Sequence, residues 1–241
     1  IILLLLRFQH HTIHLDSLIH LGWKPRMIRN ILRIGIPTGM ENGMFQIGKI
    51  LVMGLITELG TVAITANAIA NQVAALPQIP GAAIGLAMVT VVGQCIGAKK
   101  YDEAQAYTIK LTGLAYGMMS VLCILEACGA GLIVSLFALS PETVATTVEL
   151  LVFHGITCML LWPASFVLPN GLRAAGDVRF TMLVSVSSMW ICRIGFSYLF
   201  VKLFPMGVLG VWIAMVLDWV VRVAFFVIRL LRGKWKNKQI I

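Results

Sequence analysis

Long apolar stretches separated by short polar segments run through most of the 241-residue chain. A helix needs ~20 apolar residues to cross the hydrocarbon core of a bilayer. Six stretches are long enough, and they cover residues 31–56, 66–93, 110–137, 148–170, 180–203 and 208–229. The pattern predicts an all-α polytopic membrane protein, built as a bundle of six transmembrane helices.

Proline residues fall inside three of these predicted spans: Pro37 in the first, Pro77 and Pro80 in the second, and Pro163 and Pro169 in the fourth. Proline lacks a backbone N–H and leaves a carbonyl without its helical partner, so it kinks a helix. Membrane helices tolerate such kinks generally, and transporters also use them where helices surround a central cavity. The prolines therefore predict kinked helices and leave both interpretations open.

The composition supports a membrane protein. Hydrophobic residues make up 59% of the chain and charged residues 12%, against roughly 25% charged residues in a soluble domain. This excludes a soluble enzyme, a disordered segment and a nucleic-acid-binding module. The five cysteines lie in apolar runs without C-x-x-C spacing, which favours reduced packing residues over disulfides or a metal site.

The positive charges predict the orientation. Fifteen of the nineteen Lys and Arg residues fall on one side, either in alternate connecting segments or at the span ends that border them, and only Lys202 falls on the opposite side. The other three, Lys49, Arg193 and Arg222, lie inside predicted spans. The positive-inside rule places the fifteen, and with them the C-terminus, in the cytoplasm. The net charge of +9 therefore indicates orientation in a membrane and not a nucleic-acid partner.

The same pattern divides the chain into three parts. Residues 1–28 are expected to hold the end of a preceding transmembrane helix and a cytoplasmic linker, because the apolar run before Arg7 reverses the order of a signal peptide. Residues 29–232 are expected to form the six-helix transmembrane lobe. Residues 233–241 are expected to form a basic cytoplasmic tail.

Three short motifs lie at the ends of predicted spans. The first reads GQCIGAKKYDEA and begins at Gly93, the second reads NGLRAAGDVRF and begins at Asn170, and the third reads GIPTGMEN and begins at Gly35. The positions that define the first two motifs are Gly93, Gln94, Gly97, Ala98, Gly171, Arg173, Gly176 and Asp177.

These motifs resemble signatures of the MATE (multidrug and toxic compound extrusion) transporters, and together they cover most of residues 29–240. The first resembles G-Q-x-x-G-A-x-x-x-x-x-A, which closes an even-numbered helix at the cytoplasmic face. The second is similar to G-x-x-R-G-x-G-D-x-(R/K), with Ala174 and Ala175 where glycine is common, and the third to the opening of helix seven. The resemblance implies the C-terminal six-helix lobe of a twelve-helix transporter, with the N-terminal lobe as its partner.

Glu41 is the leading candidate for coupling to an ion. Counted from Arg33, it lies about 12 Å into its predicted span, and an ionisable residue within a membrane is a functional candidate by default. Desolvation favours the neutral form of a carboxyl group, which proton coupling requires. Helical spacing places polar and flexible side chains beside it as expected substrate-cavity residues: Met40, Asn42, Met44 and Gln46.

A second group of charges lies on the last two predicted spans. Asp218 and Arg222 are four residues apart and share a helix face, and Arg193 is expected at a similar depth. This predicts a structural charge cluster of Arg193, Asp218 and Arg222, with Asp218 as a second coupling candidate. By depth, Lys49 is expected either to pair with Glu126 or to extend to the headgroups.

These observations and the resemblance together predict a secondary-active antiporter in the plasma membrane. It is expected to export small organic, often cationic, compounds in exchange for H⁺ or Na⁺, with no other cofactor and no metal. The sequence contains no Walker loop to bind ATP. Two alternatives stay open: a lipid-linked glycan flippase, which would need a basic cavity, and a membrane-embedded enzyme, which the lack of a catalytic motif disfavours.

Overall fold

The computed structural model describes residues 25–237, and among these residues it contains helices and no strand. The helices are α1 (Pro25–Thr57), α2 (Thr61–Ala74), α3 (Gln78–Gly97), α4 (Tyr101–Ser135), α5 (Pro141–Trp162), α6 (Leu168–Ala174), α7 (Val178–Ser188), α8 (Phe196–Lys202) and α9 (Gly207–Leu231), with π-helical segments π1 (Pro163–Val167) and π2 (Met189–Gly195) and a 3-10 turn at Lys234–Asn237. The contacts described below lie within the compact unit that begins at Ile34.

Five helical segments within the described residues are long and apolar enough to cross a membrane. They are α3, α4, the continuous run α5–π1–α6, the continuous run α7–π2–α8, and α9. The predicted all-α polytopic class is confirmed. Four of the five agree with predicted spans to within several residues, and the first two predicted spans differ in the ways described next.

The first predicted span forms α1, a helix of 33 residues with Pro37 inside it and no break. It is long enough to cross a membrane but is not among the five apolar segments. The reason lies in its sequence, since Glu41, Asn42, Gln46 and Lys49 occur within about two turns. The second predicted span, over 66–93, is wrong as a single helix, because the helix is interrupted between Ala74 and Gln78 and forms α2 and α3.

Proline positions explain two of the irregular segments. Pro77 lies in the turn between α2 and α3, where its missing N–H ends the regular hydrogen-bond ladder. Pro163 opens the π-helical segment π1, which fits the same loss of a donor. Segment π2 contains no proline and carries Arg193. Single π-helical turns occur often at functional sites, and both segments contribute residues to the cavities described below.

Small residues allow the helices to approach closely. Helix α4 packs between α3 and α5, and α2 packs on α5. Ala66, Ala70, Ala115 and Ala130 are fully or almost fully buried in these contacts. Association of helices in lipid depends on such close packing, because the lipid chains offer no hydrophobic gain for burial.

Gly155 marks the tightest contact between α4 and α5. A Cβ atom at Gly155 would lie 2.9 Å from the backbone oxygen of Cys123 and 3.0 Å from the Cβ of Ala127. We therefore expect Gly155→Leu to force α4 and α5 apart and to lower the thermal unfolding midpoint of the purified full-length protein, at a cost of ~1–3 kcal/mol.

The matched control for this substitution is Gly131→Leu. Gly131 is an exposed residue on α4, and an added Cβ there would meet no atom within 4 Å. The control variant should keep the wild-type midpoint. Equal midpoints for the two variants would show that the α4–α5 contact at Gly155 does not limit stability.

Candidate functional site

Glu41 and Arg173 form a buried ion pair between α1 and α6. Arg173 Nη2 donates to Glu41 Oε1 over 2.6 Å, and Arg173 Nη1 donates to Asn170 Oδ1 over 3.0 Å. The Glu41 side chain is 7% exposed and that of Arg173 is 22% exposed. The second carboxylate oxygen, Oε2, is buried and has no hydrogen-bond partner among the described residues. This pair joins the third sequence motif to the second.

The sequence placed Arg173 in a connecting loop, and the structure places it in the last turn of α6. The second motif can now be explained physically. An added Cβ at Gly171 would lie 2.6 Å from the Thr108 side chain of α4, and Gly176 has a φ of +87° in the turn that follows α6. Both positions therefore require glycine. Asp177 Oδ2 accepts a 2.6 Å hydrogen bond from Arg229 Nε of α9.

The first motif ends α3 and forms the turn to α4. The Ala98 and Lys99 N–H groups donate to the Gln94 and Ile96 carbonyls, and Lys99 has a φ of +59°. This pattern closes the helix by the usual left-handed turn. An added Cβ at Gly93 or Gly97 would meet no atom within 4 Å, so the described structure gives no packing reason for glycine there.

Asp218 and Arg222 form a second buried pair on α9. Arg222 Nε donates to Asp218 Oδ1 over 2.8 Å, and Arg222 Nη2 donates to the Ser185 carbonyl of α7 over 2.8 Å. The Arg222 guanidinium also lies 4.6 Å from the centre of the Phe45 ring and 5.2 Å from that of Phe166. Two members of the predicted cluster are thus together.

Arg193, the third member of that predicted cluster, forms no ion pair with Asp218, but it lies close enough to interact electrostatically with both Asp218 and Arg222. It makes no ion pair or side-chain hydrogen bond with the described residues, and its buried Nε has no acceptor among them. It projects from π2, where the wider helical turn changes the register that a regular α-helix would give. It lines a cavity together with Lys49.

The residues predicted to line a substrate cavity lie elsewhere on α1. Met40, Asn42 and Gln46 are exposed, and Met44 is partly exposed. None of the four lines either of the two cavities beside α1. Instead, α1 lines the cavities with Phe45, Lys49 and Val52. These residues are four and three positions apart, so they share one face of the helix.

The two cavities have volumes of about 340 and 430 Å³. They share the lining residues Lys49, Asn71, Arg193, Trp212 and Met215. Helices α1, α2 and α9 and segment π2 supply these residues. The volumes lie within the range of small-molecule pockets, ~300–1,000 Å³.

A buried carboxylate–imidazole pair lies at the wall of the larger cavity. His154 Nδ1 is 3.2 Å from both Glu126 oxygens, and His154 Nε2 is 3.4 Å from Gln78 Nε2. The His154 ring makes edge contacts with Trp212 and Trp219. The prediction that Lys49 pairs with Glu126 is wrong, because His154 occupies that position.

Sequence reasoning missed this pair, although both residues are visible within apolar runs. The depth of a charged residue along its own helix gives no information on which other helix it faces. One signal could have identified the pair: Glu126 and His154 each lie in an apolar run, and these runs belong to consecutive predicted spans.

These features define a polytopic helical membrane protein with a polar cavity and buried ion pairs within its bundle. A family model for MatE matches residues 37–199, which is more than half of the chain, and the chain therefore belongs to the MatE family. Membership in this family of multi-pass membrane transporters confirms the resemblance seen in the motifs. It also agrees with the prediction that the chain is not an enzyme, because the relatives described next carry transporter or multidrug-resistance names.

Individual relatives align with most of this chain, and the aligned part makes up about half of each relative's own length. The chain is 29% identical to the "Uncharacterized transporter YisQ" of Bacillus subtilis, with 80% of this chain and 42% of the relative covered. It is 24% identical to the "Probable multidrug resistance protein YoeA" of the same organism, with coverage of 100% and 52%.

A solved structure of a MATE protein in the straight conformation has the same fold. Its TM-score is 0.83 at 17% identity, with 95% of this chain and 51% of that chain covered. The chain thus spans about half the length of the relatives and the solved structure that it matches.

Proposed function

We propose that the protein is a secondary-active antiporter that exports small organic compounds in exchange for H⁺ or Na⁺, with this chain forming one lobe of a two-lobed transporter. The names of the curated relatives support drug export, and their length supports a second lobe of similar size. The observation that carries the proposal is the buried Glu41, with one oxygen on Arg173 and the other without a partner among the described residues.

Such a carboxylate is suited to coupling for a physical reason. Binding of a proton or a cation at Glu41 neutralises its charge and weakens the ion pair with Arg173, so the α1–α6 link depends on ion occupancy. An ion that binds one conformation better than another shifts the equilibrium between them. Glu41 is therefore the proposed coupling residue, and Asp218, which also has an oxygen without a described partner, is the second candidate.

The exposed residues of α1 fit the same proposal. Asn42, Gln46, Met40 and Met44 lie on a face that is at least partly open in this chain. In the proposed transporter this face borders the path between the two lobes, where flexible methionine side chains suit varied ligands.

The proposal is tested by dye efflux from cells that express the full-length protein. We expect export of at least one dye from a panel of organic cations and anions, and we expect a protonophore, or removal of Na⁺, to abolish it. Export that persists when both gradients are removed would contradict an antiport mechanism.

The proposed orientation places the transporter in the plasma membrane with its C-terminus in the cytoplasm, because five of the inside charges lie at or beyond the end of the last span, from Arg229 to Lys238. In a background with all native cysteines replaced by alanine, a cysteine inserted after Lys238 should resist impermeant thiol reagents in intact cells. Phe204→Cys, at an exposed site in a predicted external loop, should label readily. The reverse labelling pattern would invert the topology.

A specific observation also favours a second candidate function. A flippase for lipid-linked glycans must accommodate an anionic phosphate group, and the two cavities beside α1 are lined by Lys49 and Arg193. This candidate predicts that a lipid-linked pyrophosphate, and no soluble dye, is moved across the bilayer.

A further inference from the structure

The two cavities beside α1 carry an excess of positive charge. Lys49 and Arg193 line both of them, and within the described part of the chain no aspartate or glutamate is among the lining residues. Neither cation makes an ion pair with a described residue, and Lys49 is exposed. The cavity walls therefore attract negative charge.

The acidic residues nearest to this region already have cationic or imidazole partners. Asp218 accepts from Arg222, and Glu126 faces His154. Glu58, one residue beyond the end of α1, pairs with Lys202 at the surface. Asp218 also attracts Arg193 electrostatically, but it is already paired with Arg222. Lys49, Arg193 and Arg222 together therefore leave an excess of positive charge.

Two residues that line the larger cavity, Arg193 and Trp219, carry a polar atom without a described partner, and both atoms are donors. Arg193 Nε and the indole Nε1 of Trp219 are buried, and neither has an acceptor among the described residues. Trp219 is 2% exposed and lines this cavity. A buried donor without an acceptor is costly, so both atoms favour a ligand that supplies oxygen acceptors.

The remaining wall of the larger cavity is aromatic. Trp162 and Phe166 are stacked with ring centres 5.1 Å apart, and Phe166 meets Trp219 edge to face at 6.1 Å. Trp212 is fixed because its Nε1 donates to Asn67 Oδ1 over 3.0 Å. Such a wall suits a flat apolar group.

We propose that the cavity beside Lys49 and Arg193 binds an organic anion, with its acidic oxygen group at the two cations and an aromatic or other apolar body against the tryptophans. This inference rests on the proposed transport function and reverses the substrate charge that the family resemblance implies. The same chemistry is found in soluble aromatic acids and in anionic lipids, and the volumes of about 340 and 430 Å³ favour the soluble acid.

The test compares two probes that share an aromatic body and differ in charge. Binding of naphthalenesulfonate and of naphthyltrimethylammonium to the purified full-length protein is followed by calorimetry. We expect the sulfonate to bind at least tenfold more tightly, and we expect Lys49→Glu to reverse that preference. The control is Lys110→Glu, a charge reversal at an exposed residue of α4 that lines neither cavity, and it should leave the preference unchanged.

Three results would overturn the inference: tighter binding of the ammonium probe by the wild type, equal effects of the two lysine variants, or binding of short-chain phosphatidylglycerol with no binding of the sulfonate. The last result would assign the cavity to anionic lipid. A transporter that exports cations under an ion gradient and does not bind the sulfonate would refute this inference alone. Lys49-dependent binding of the sulfonate, with no gradient-driven transport of any probe, would refute the antiport function alone.

Discussion

Glu41→Gln in the full-length protein is expected to abolish gradient-driven efflux, with a loss of tenfold or more. Glutamine keeps the shape of the side chain and can still accept from Arg173, but it cannot bind a proton or a cation as a carboxylate does. A coupling ion can shift a conformational equilibrium only through a site whose occupancy differs between the states. The measurement is the initial rate of dye efflux at matched expression, and Glu58→Gln, which removes an exposed carboxylate, should retain the wild-type rate.

A double substitution separates coupling from stability. Removing one member of a fully buried ion pair costs ~3–5 kcal/mol, and the cost here is smaller because 22% of the Arg173 side chain is exposed. Glu41→Gln combined with Arg173→Gln removes both charges, and we expect it to recover the folded yield and to remain inactive. Wild-type efflux by either variant would eliminate Glu41 as the coupling residue and direct attention to Asp218.

Arg222→Met is expected to cause the largest loss of stability. Arg222 is 1% exposed, and its removal leaves Asp218 buried without its cation. The cost of such an uncompensated charge is ~3–5 kcal/mol, and the contacts with Phe45 and Phe166 are lost as well. A thermal unfolding curve of the purified full-length protein should show a clearly lower midpoint.

Two further variants define the cause of that loss. Asp218→Leu combined with Arg222→Met replaces the pair by apolar side chains, and we expect the midpoint to recover most of the way to wild type. Arg232→Gln removes an exposed arginine just beyond α9 and should have no effect. An unchanged midpoint for Arg222→Met alone would contradict a structural role for this pair.

Much of the fold can be predicted from the lengths of the apolar stretches in the sequence. The bounds of the run α7–π2–α8 and of α9 approach the predicted spans because an apolar stretch bounded by charged residues has few alternatives in a bilayer. The sequence predicts a kink at Pro77 and not a full interruption between α2 and α3, because the residues around it, Ala75 and Leu76, are as apolar as the helices on either side. Local proline chemistry at Pro77, not composition, decides the bend.

Fewer of the contacts in the candidate site could be predicted from the sequence. The Asp218–Arg222 contact could be predicted because both residues lie on one helix at a fixed spacing. The Glu41–Arg173 and Glu126–His154 pairs join different helices, and their formation depends on which helix faces are in contact. Depth along a helix gives one coordinate of a side chain and leaves its neighbours undetermined. The basic character of the cavity needed the same information, because Lys49 and Arg193 are 144 positions apart.

The central claim is that transport is driven by exchange with H⁺ or Na⁺. Its most direct test uses the full-length protein in proteoliposomes, with a pH or Na⁺ gradient imposed at zero membrane potential and naphthalenesulfonate and naphthyltrimethylammonium as the measured solutes. We expect at least one solute to accumulate above its external concentration, and we expect an ionophore that dissipates the gradient to release it. Movement of both solutes only down their own concentration gradients, unaffected by the imposed ion gradients, would contradict antiport.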